Sequence, residues 1–122
     1  MRSLHHESSI IGIGAADAIP QFANIKEVTS GDNVLVAAVA GKKLRVISMF
    51  LVAAGTVTVY FVDGANAAVA GDATTGIALV ANSGFSLPFN PVGWFESGVG
   101  QSLDINLNGA VGVAGSLTYI EV

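Results

Sequence analysis

"GTVTVYFVDG", residues 55–64, alternates apolar and polar positions. Val57, Val59 and Phe61 fall on one side of an extended chain, and Thr56, Thr58 and Tyr60 fall on the other. Successive side chains of a strand point to opposite faces, so this run reads as a half-buried β-strand. "QSLDINLNG", residues 101–109, repeats the design, with Leu103, Ile105 and Leu107 inside and Ser102, Asp104 and Asn106 outside. "GSLTYIEV", residues 115–122, carries β-branched and aromatic residues to its end, which also suits a strand.

Upstream, residues 33–64 read as three successive strands. Gly41-Lys42 and Ala54-Gly55 turn the chain, and Asp63-Gly64 ends the third run. The middle strand, Lys43 to Ala53, is apolar on both faces past Arg45. Such a strand is covered on both sides, inside a sandwich or at a subunit interface. Ile47, Met49 and Leu51 are therefore candidate oligomer-interface residues. Further strands are predicted near Phe22–Thr29, Gly76–Ala81, Phe85–Leu87 and Trp94–Glu96. No run shows a capped 3.6-residue period. The expectation is an all-β chain: a single β-sandwich of the jelly-roll kind over residues 22–122, behind an extended N-terminal arm, residues 1–21.

Composition narrows the function. Hydrophobic residues make up 52% of the 122 and charged residues only 11%, against a usual charged share of about 25%. Too few charges are present to coat a monomer in the ordinary way. Part of the surface is expected to be uncharged but polar, and part covered by copies of the chain or by another protein. The net charge of −4 argues against nucleic acid as the partner, because phosphate binding needs a concentrated basic surface. The basic cluster Lys42, Lys43 and Arg45 reads as a charged strand start that discourages unwanted edge pairing. There is no cysteine, hence no disulfide and no thiolate nucleophile. Val46–Val62 and Ala73–Phe95 lack charge, yet Gly55, Thr56 and Thr58 break the first and Asn82, Pro88, Asn90 and Pro91 the second, so neither reads as a membrane helix. Arg2, the run Ile10–Ala16 and the small residues Ala15-Ala16-Asp17-Ala18 imitate a signal peptide, but His5, His6 and Glu7 interrupt it.

Catalytic chemistry finds little to use. Both histidines, His5 and His6, sit in the arm, where flexible ligands are not pre-organised for a metal. Asp63-Gly64 and Gly71-Asp72 bracket a run of mostly alanine, which is turn chemistry rather than a calcium loop. The expectation is a non-enzymatic protein without cofactor or metal. One segment stands out: residues 87–96, "LPFNPVGWFE", hold the only Trp. Pro88, Asn90 and Pro91 forbid a central strand there. Leu87, Phe89, Trp94 and Phe95 are expected to plug one end of the sandwich. Phe89, Trp94, Phe95 and Glu96 also form a candidate ligand patch, in which aromatic rings and a carboxylate would hold a sugar. The alternative is that Glu96 accepts hydrogen bonds from an arginine or the backbone.

Three stretches carry a resemblance: "VAGKKLRV" at Val39–Val46, "PFNPVGWF" at Pro88–Phe95 and "LTYIEV" at Leu117–Val122. Together they resemble a class of small tailed-phage virion proteins over about residues 33–122, with the arm unmatched. The resemblance implies a capsid decoration (cement) protein or a head fibre, commonly a trimeric β-sandwich, and it brings no functional residues with it. The expected role is a decoration protein on the virion's capsid surface. It would form a homotrimer bound to the major capsid protein partly through an arm anchored by Ile10, Ile11, Ile13 and Phe22. The rival is a carbohydrate- or receptor-binding knob of a fibre.

Overall fold

The alternating runs become strands, and the computed structural model describes residues 11–13 and 16–122. β1 (Ile11–Ile13) and β2 (Ala16–Ala18) pair as a small antiparallel hairpin. The body begins at β3 (Gln21–Glu27), followed by β4 (Gly31–Val36), β5 (Leu44–Ala53) and β6 (Val57–Asp63). Four short strands come next: β7 (Ala68–Ala70), β8 (Ile77–Leu79), β9 (Gly84–Leu87) and β10 (Phe95–Glu96). β11 (Leu103–Leu107) and β12 (Val113–Glu121) complete the body. There is no helix among the described residues, and the fold is an all-β sandwich.

Two antiparallel sheets of five strands form the layers. In the first, β5 and β12 are central, β3 is one edge, and β9 and β10 share the other flank of β5. In the second, β11 and β6 are central, β4 is one edge, and β7 and β8 share the far flank of β6. The chain changes sheets at each step from β3 to β6, stays in the second sheet through β8, and crosses back at β9. β11 returns to the second sheet and β12 to the first.

The core lies between the sheets. Val46, Met49, Leu51 and Leu117 from the first meet Val57, Val59, Phe61, Leu103, Ile105 and Leu107 from the second. Each contributes about 1.5–3 kcal/mol by leaving water, so the alternation read from residues 55–64 and 101–109 is what joins the layers. Asp104, on the outward parity of β11, is nevertheless only 7% exposed and accepts a hydrogen bond from Ser102 Oγ at 2.8 Å.

One irregularity changes the reading of β5. Its register against β12 shifts between Thr118 and Tyr119: Thr118 faces Ser48, while Tyr119 faces Val46. Ile47 is the extra residue of a β-bulge. It is buried with Ile120, Ala18 and Val122 in a small cluster separate from the main core. Ala18, just before Pro20, thus packs on the body, and the boundary expected after residue 21 falls one residue inside β3.

Candidate functional site

The segment expected to plug the sandwich does so only in part. β10 lies along β5, with Phe95 opposite Val46 and Glu96 opposite Arg45. Phe95 points inward and stacks on Phe61, with ring centroids 4.6 Å apart. Leu87 packs against the core as well. Phe89, by contrast, is 59% exposed, and Trp94 is 43% exposed with its Nε1 donating to the Pro88 carbonyl at 2.8 Å. Trp94 and Phe95 line an apolar groove of about 520 Å³ with Phe61, Phe85, Ile77 and Leu79. The groove opens where the short strands β7 and β8 face β9 and β10 across the gap between the sheets.

The four residues of the expected ligand patch are not brought together. Phe89 lies outside the groove. Glu96 is adjacent to Phe95 in a strand and therefore on the opposite face. Its two carboxylate oxygens accept from Arg45 Nε at 2.8 Å and Lys43 Nζ at 3.1 Å. Partial burial pushes its carboxyl up, but the hydrogen bonds and charges of Arg45 and Lys43 outweigh it and hold it below the usual glutamate value. Glu96 is the clamp of an ion-pair triad, and Lys43 and Arg45 of the basic cluster are the other half. Glu96→Gln should lower stability by about 1 kcal/mol in dilute buffer and by less in molar salt, because partly exposed pairs are screened. Thermal melts of both proteins at the two salt concentrations check this, and an equal loss at both would contradict a charge effect.

The expected interface residues are also corrected. Met49 and Leu51 are inside the sandwich, 4% and 0% exposed. Ile47 is 1% exposed beneath the Ala18 segment. None of the three is available to another chain as folded. The bulge explains this: it separates the apolar residues of β5 into an inner row and one covered outer position. What β5 presents outward is Phe50, 52% exposed, and Val52, 45% exposed.

These two belong to an outer face that differs sharply from its counterpart. Across the first sheet, Phe22 lies opposite Thr118 and Thr118 opposite Ser48. The next row runs Asn24, Ser116, Phe50, Ser86, and the one after it Lys26, Ala114, Val52, Gly84. Lys26 is the single charged side chain in these rows. Phe22, assigned to the arm from the sequence, is part of β3 and 82% exposed on this face. The second sheet carries Asp32, Asn106, Tyr60 and Thr58 outward, with Asn106 Nδ2 donating to Asp32 Oδ1 at 2.6 Å. The first sheet thus exposes Phe22, Phe50 and Val52 among small polar residues, and the second sheet exposes a carboxylate, an amide and hydroxyls beside Val34.

Of the remaining arm candidates, Ile10 and the side chains of Ile11 and Ile13 lie outside the described residues, as do His5 and His6. No group of three metal-binding side chains occurs among the described residues. Sequence reasoning missed the role of Asp63. It is 4% exposed, and its carboxylate accepts the backbone N–H groups of Ala65, Ala67 and Gly98. The Asp-Gly turn signal was visible, whereas Gly98 arrives from a distant loop. Compared with known proteins, the chain matches no family model, no curated protein and no solved structure.

Proposed function

We propose that this protein is a non-enzymatic structural component of a tailed-phage virion, a capsid decoration protein that self-associates and binds the shell. The observation that carries the reading is the stretch of the first sheet's outer face where Phe22 and Phe50 stand proud of serine, threonine, alanine and glycine neighbours, with Lys26 the single charge in those rows. Exposed contiguous apolar surface of this kind marks association sites. A standard interface hides about 800 Å² per partner. Four strand positions at about 4.8 Å by seven residues at about 3.4 Å give a plane of about 19 by 24 Å, which is a substantial share of that.

The wiring supports the same reading. Counting β7 with β8 and β9 with β10 as single positions leaves eight, ordered six-three-eight-one in one sheet and two-seven-four-five in the other. This order supports a sandwich of the jelly-roll kind, an architecture that viral capsid and lectin domains use. Light scattering should give a mass near three times the 12.3 kDa chain, falling to one chain for the double variant Phe22→Asp, Phe50→Asp. A monomeric wild type would overturn the self-association. Replacing Ile10, Ile11 and Ile13 together with aspartate, which leaves Ala18 and its cover over Ile47 and Ile120 in place, should weaken co-sedimentation with capsids while leaving the mass of the oligomer unchanged. Undiminished binding would remove the arm from the mechanism.

A further inference from the structure

The polar outer face holds a second groove, about 520 Å³ in volume, on the side of the molecule away from Phe22 and Phe50. Its floor is Thr58 and Tyr60 of β6 beside Asn106 of β11, with Tyr60 and Asn106 directly opposite one another. Asn108 closes one side, and the β7–β8 loop closes the other with Asp72 and Thr74.

The wall is pre-built. Asp72 Oδ1 accepts from the backbone N–H groups of Thr74 at 2.9 Å and Thr75 at 2.6 Å, and the Asp72 N–H donates to the Thr75 carbonyl. The loop can lie this close to β6 because residue 76 is glycine: a Cβ there would come within 2.6 Å of Thr58 Cγ2. A wall that is already ordered loses little entropy when a ligand arrives.

The polar atoms facing the groove are divided between donors and acceptors. Asn108 Oδ1 accepts the Thr58 N–H at 2.9 Å, which leaves its amide as a donor. Asn106 donates its amide to Asp32, which leaves its carbonyl oxygen as an acceptor. Asp72 keeps its second carboxylate oxygen, and the hydroxyls of Thr58, Tyr60 and Thr74 make no hydrogen bond among the described residues. Each hydroxyl can give and take a proton. Three ligand classes fit poorly. An anion would meet Asp72 with no lysine, arginine or histidine in the lining. A divalent cation would find a single carboxylate, where several oxygen ligands in fixed geometry are needed. An apolar molecule would bury these polar groups unpaired. Vicinal hydroxyls on a ring with an apolar C–H face satisfy the set, since they alternate donor and acceptor over an aromatic platform.

We infer that this groove, built from Tyr60, Asn106, Asn108 and the Asp72–Thr74 loop, binds a neutral saccharide. The site is distinct from Trp94 and independent of the capsid reading. A decoration protein bearing it would hold its host-facing surface to polysaccharide while the opposite face is covered.

The test is a two-dimensional amide NMR titration of the full chain with D-galactose, D-mannose, N-acetyl-D-glucosamine and N-acetylneuraminic acid at tens of millimolar, alongside a glycan array. At least one neutral sugar should shift the amides of residues 58–60, 72–75 and 106–108. Asn108→Asp keeps the acceptor for the Thr58 N–H and removes the donor, so it should weaken binding about tenfold. Tyr60→Leu keeps the bulk and removes the ring, and it should do the same or more. Trp94→Leu should bind as the wild type does. No shift from any sugar together with a blank array overturns the proposal, as does preference for the acidic sugar or loss of binding in Trp94→Leu. The oligomer mass is unaffected by any of these results, so failure here leaves the self-association test standing.

Discussion

Gly115→Ala is expected to cost about 4 kcal/mol or more, the range reached only by a forced rearrangement of a packed interior. Gly115 sits in β12 between Leu51 of β5 and Ile25 of β3. A Cβ built on it would overlap the backbone carbonyl of Phe50. Its φ is not in the left-handed region, so space and not conformation is the obstacle. Neither side can yield cheaply: β5 is hydrogen-bonded on both flanks, and Gly84 on its other neighbour already approaches the Leu51 carbonyl in the same way. With total stabilities of about 5–15 kcal/mol for such domains, the variant should unfold at far lower urea or accumulate insoluble. Ser116→Ala, one residue on and facing outward, should stay within about 1 kcal/mol of the wild type. A urea midpoint for Gly115→Ala equal to that of Ser116→Ala would show that the sheet gives way around β12 at little cost.

That glycine illustrates which features were legible in the sequence. A glycine inside a strand pattern marks a bend or a point of close backbone approach, and close approach is what the sheet contains at Gly115. The alternation at Val57, Val59 and Phe61 and at Leu103, Ile105 and Leu107 was legible for a simple reason: period-two burial is written locally. The bulge at Ile47 was not, because it exists only relative to Thr118 and Tyr119, some seventy residues on in the chain. Without it, the doubly apolar β5 looks like an interface strand. Glu96 failed as a ligand residue for a related reason. Its face is fixed by pairing with Arg45, and its partners stand more than fifty residues upstream. The charge-poor rows of the outer face were foreshadowed by composition alone, since 11% charge must leave some surface bare. Which face is bare follows from strand order, and composition says nothing about strand order.

Asp63→Asn should lower stability at neutral pH by about 3 kcal/mol, or roughly 10 °C in midpoint. The carboxylate joins two parts of the sandwich. Oδ1 accepts from Ala65 at 2.9 Å and Ala67 at 3.1 Å, closing the β6–β7 turn, and Oδ2 accepts from Gly98 at 3.0 Å, fixing the loop between β10 and β11. An asparagine of the same shape would turn its amide N–H groups toward one of these donors and leave it unpaired. Burial pushes the Asp63 carboxyl up, yet the three backbone N–H groups prevail and hold it below the ordinary aspartate value. A carboxyl depressed in the folded state adds stability that is fully present above its unfolded value of about 3.9 and is lost as the pH falls toward its folded value. The gap between wild type and Asp63→Asn should therefore be widest near neutrality and narrow below about pH 4, the wild type losing what the uncharged variant never had. Melting midpoints of both proteins from neutral pH down to about pH 3 read this directly. A gap that stays constant across the range would mean that the shape of the side chain, and not its charge on those three donors, holds the turn and the loop together.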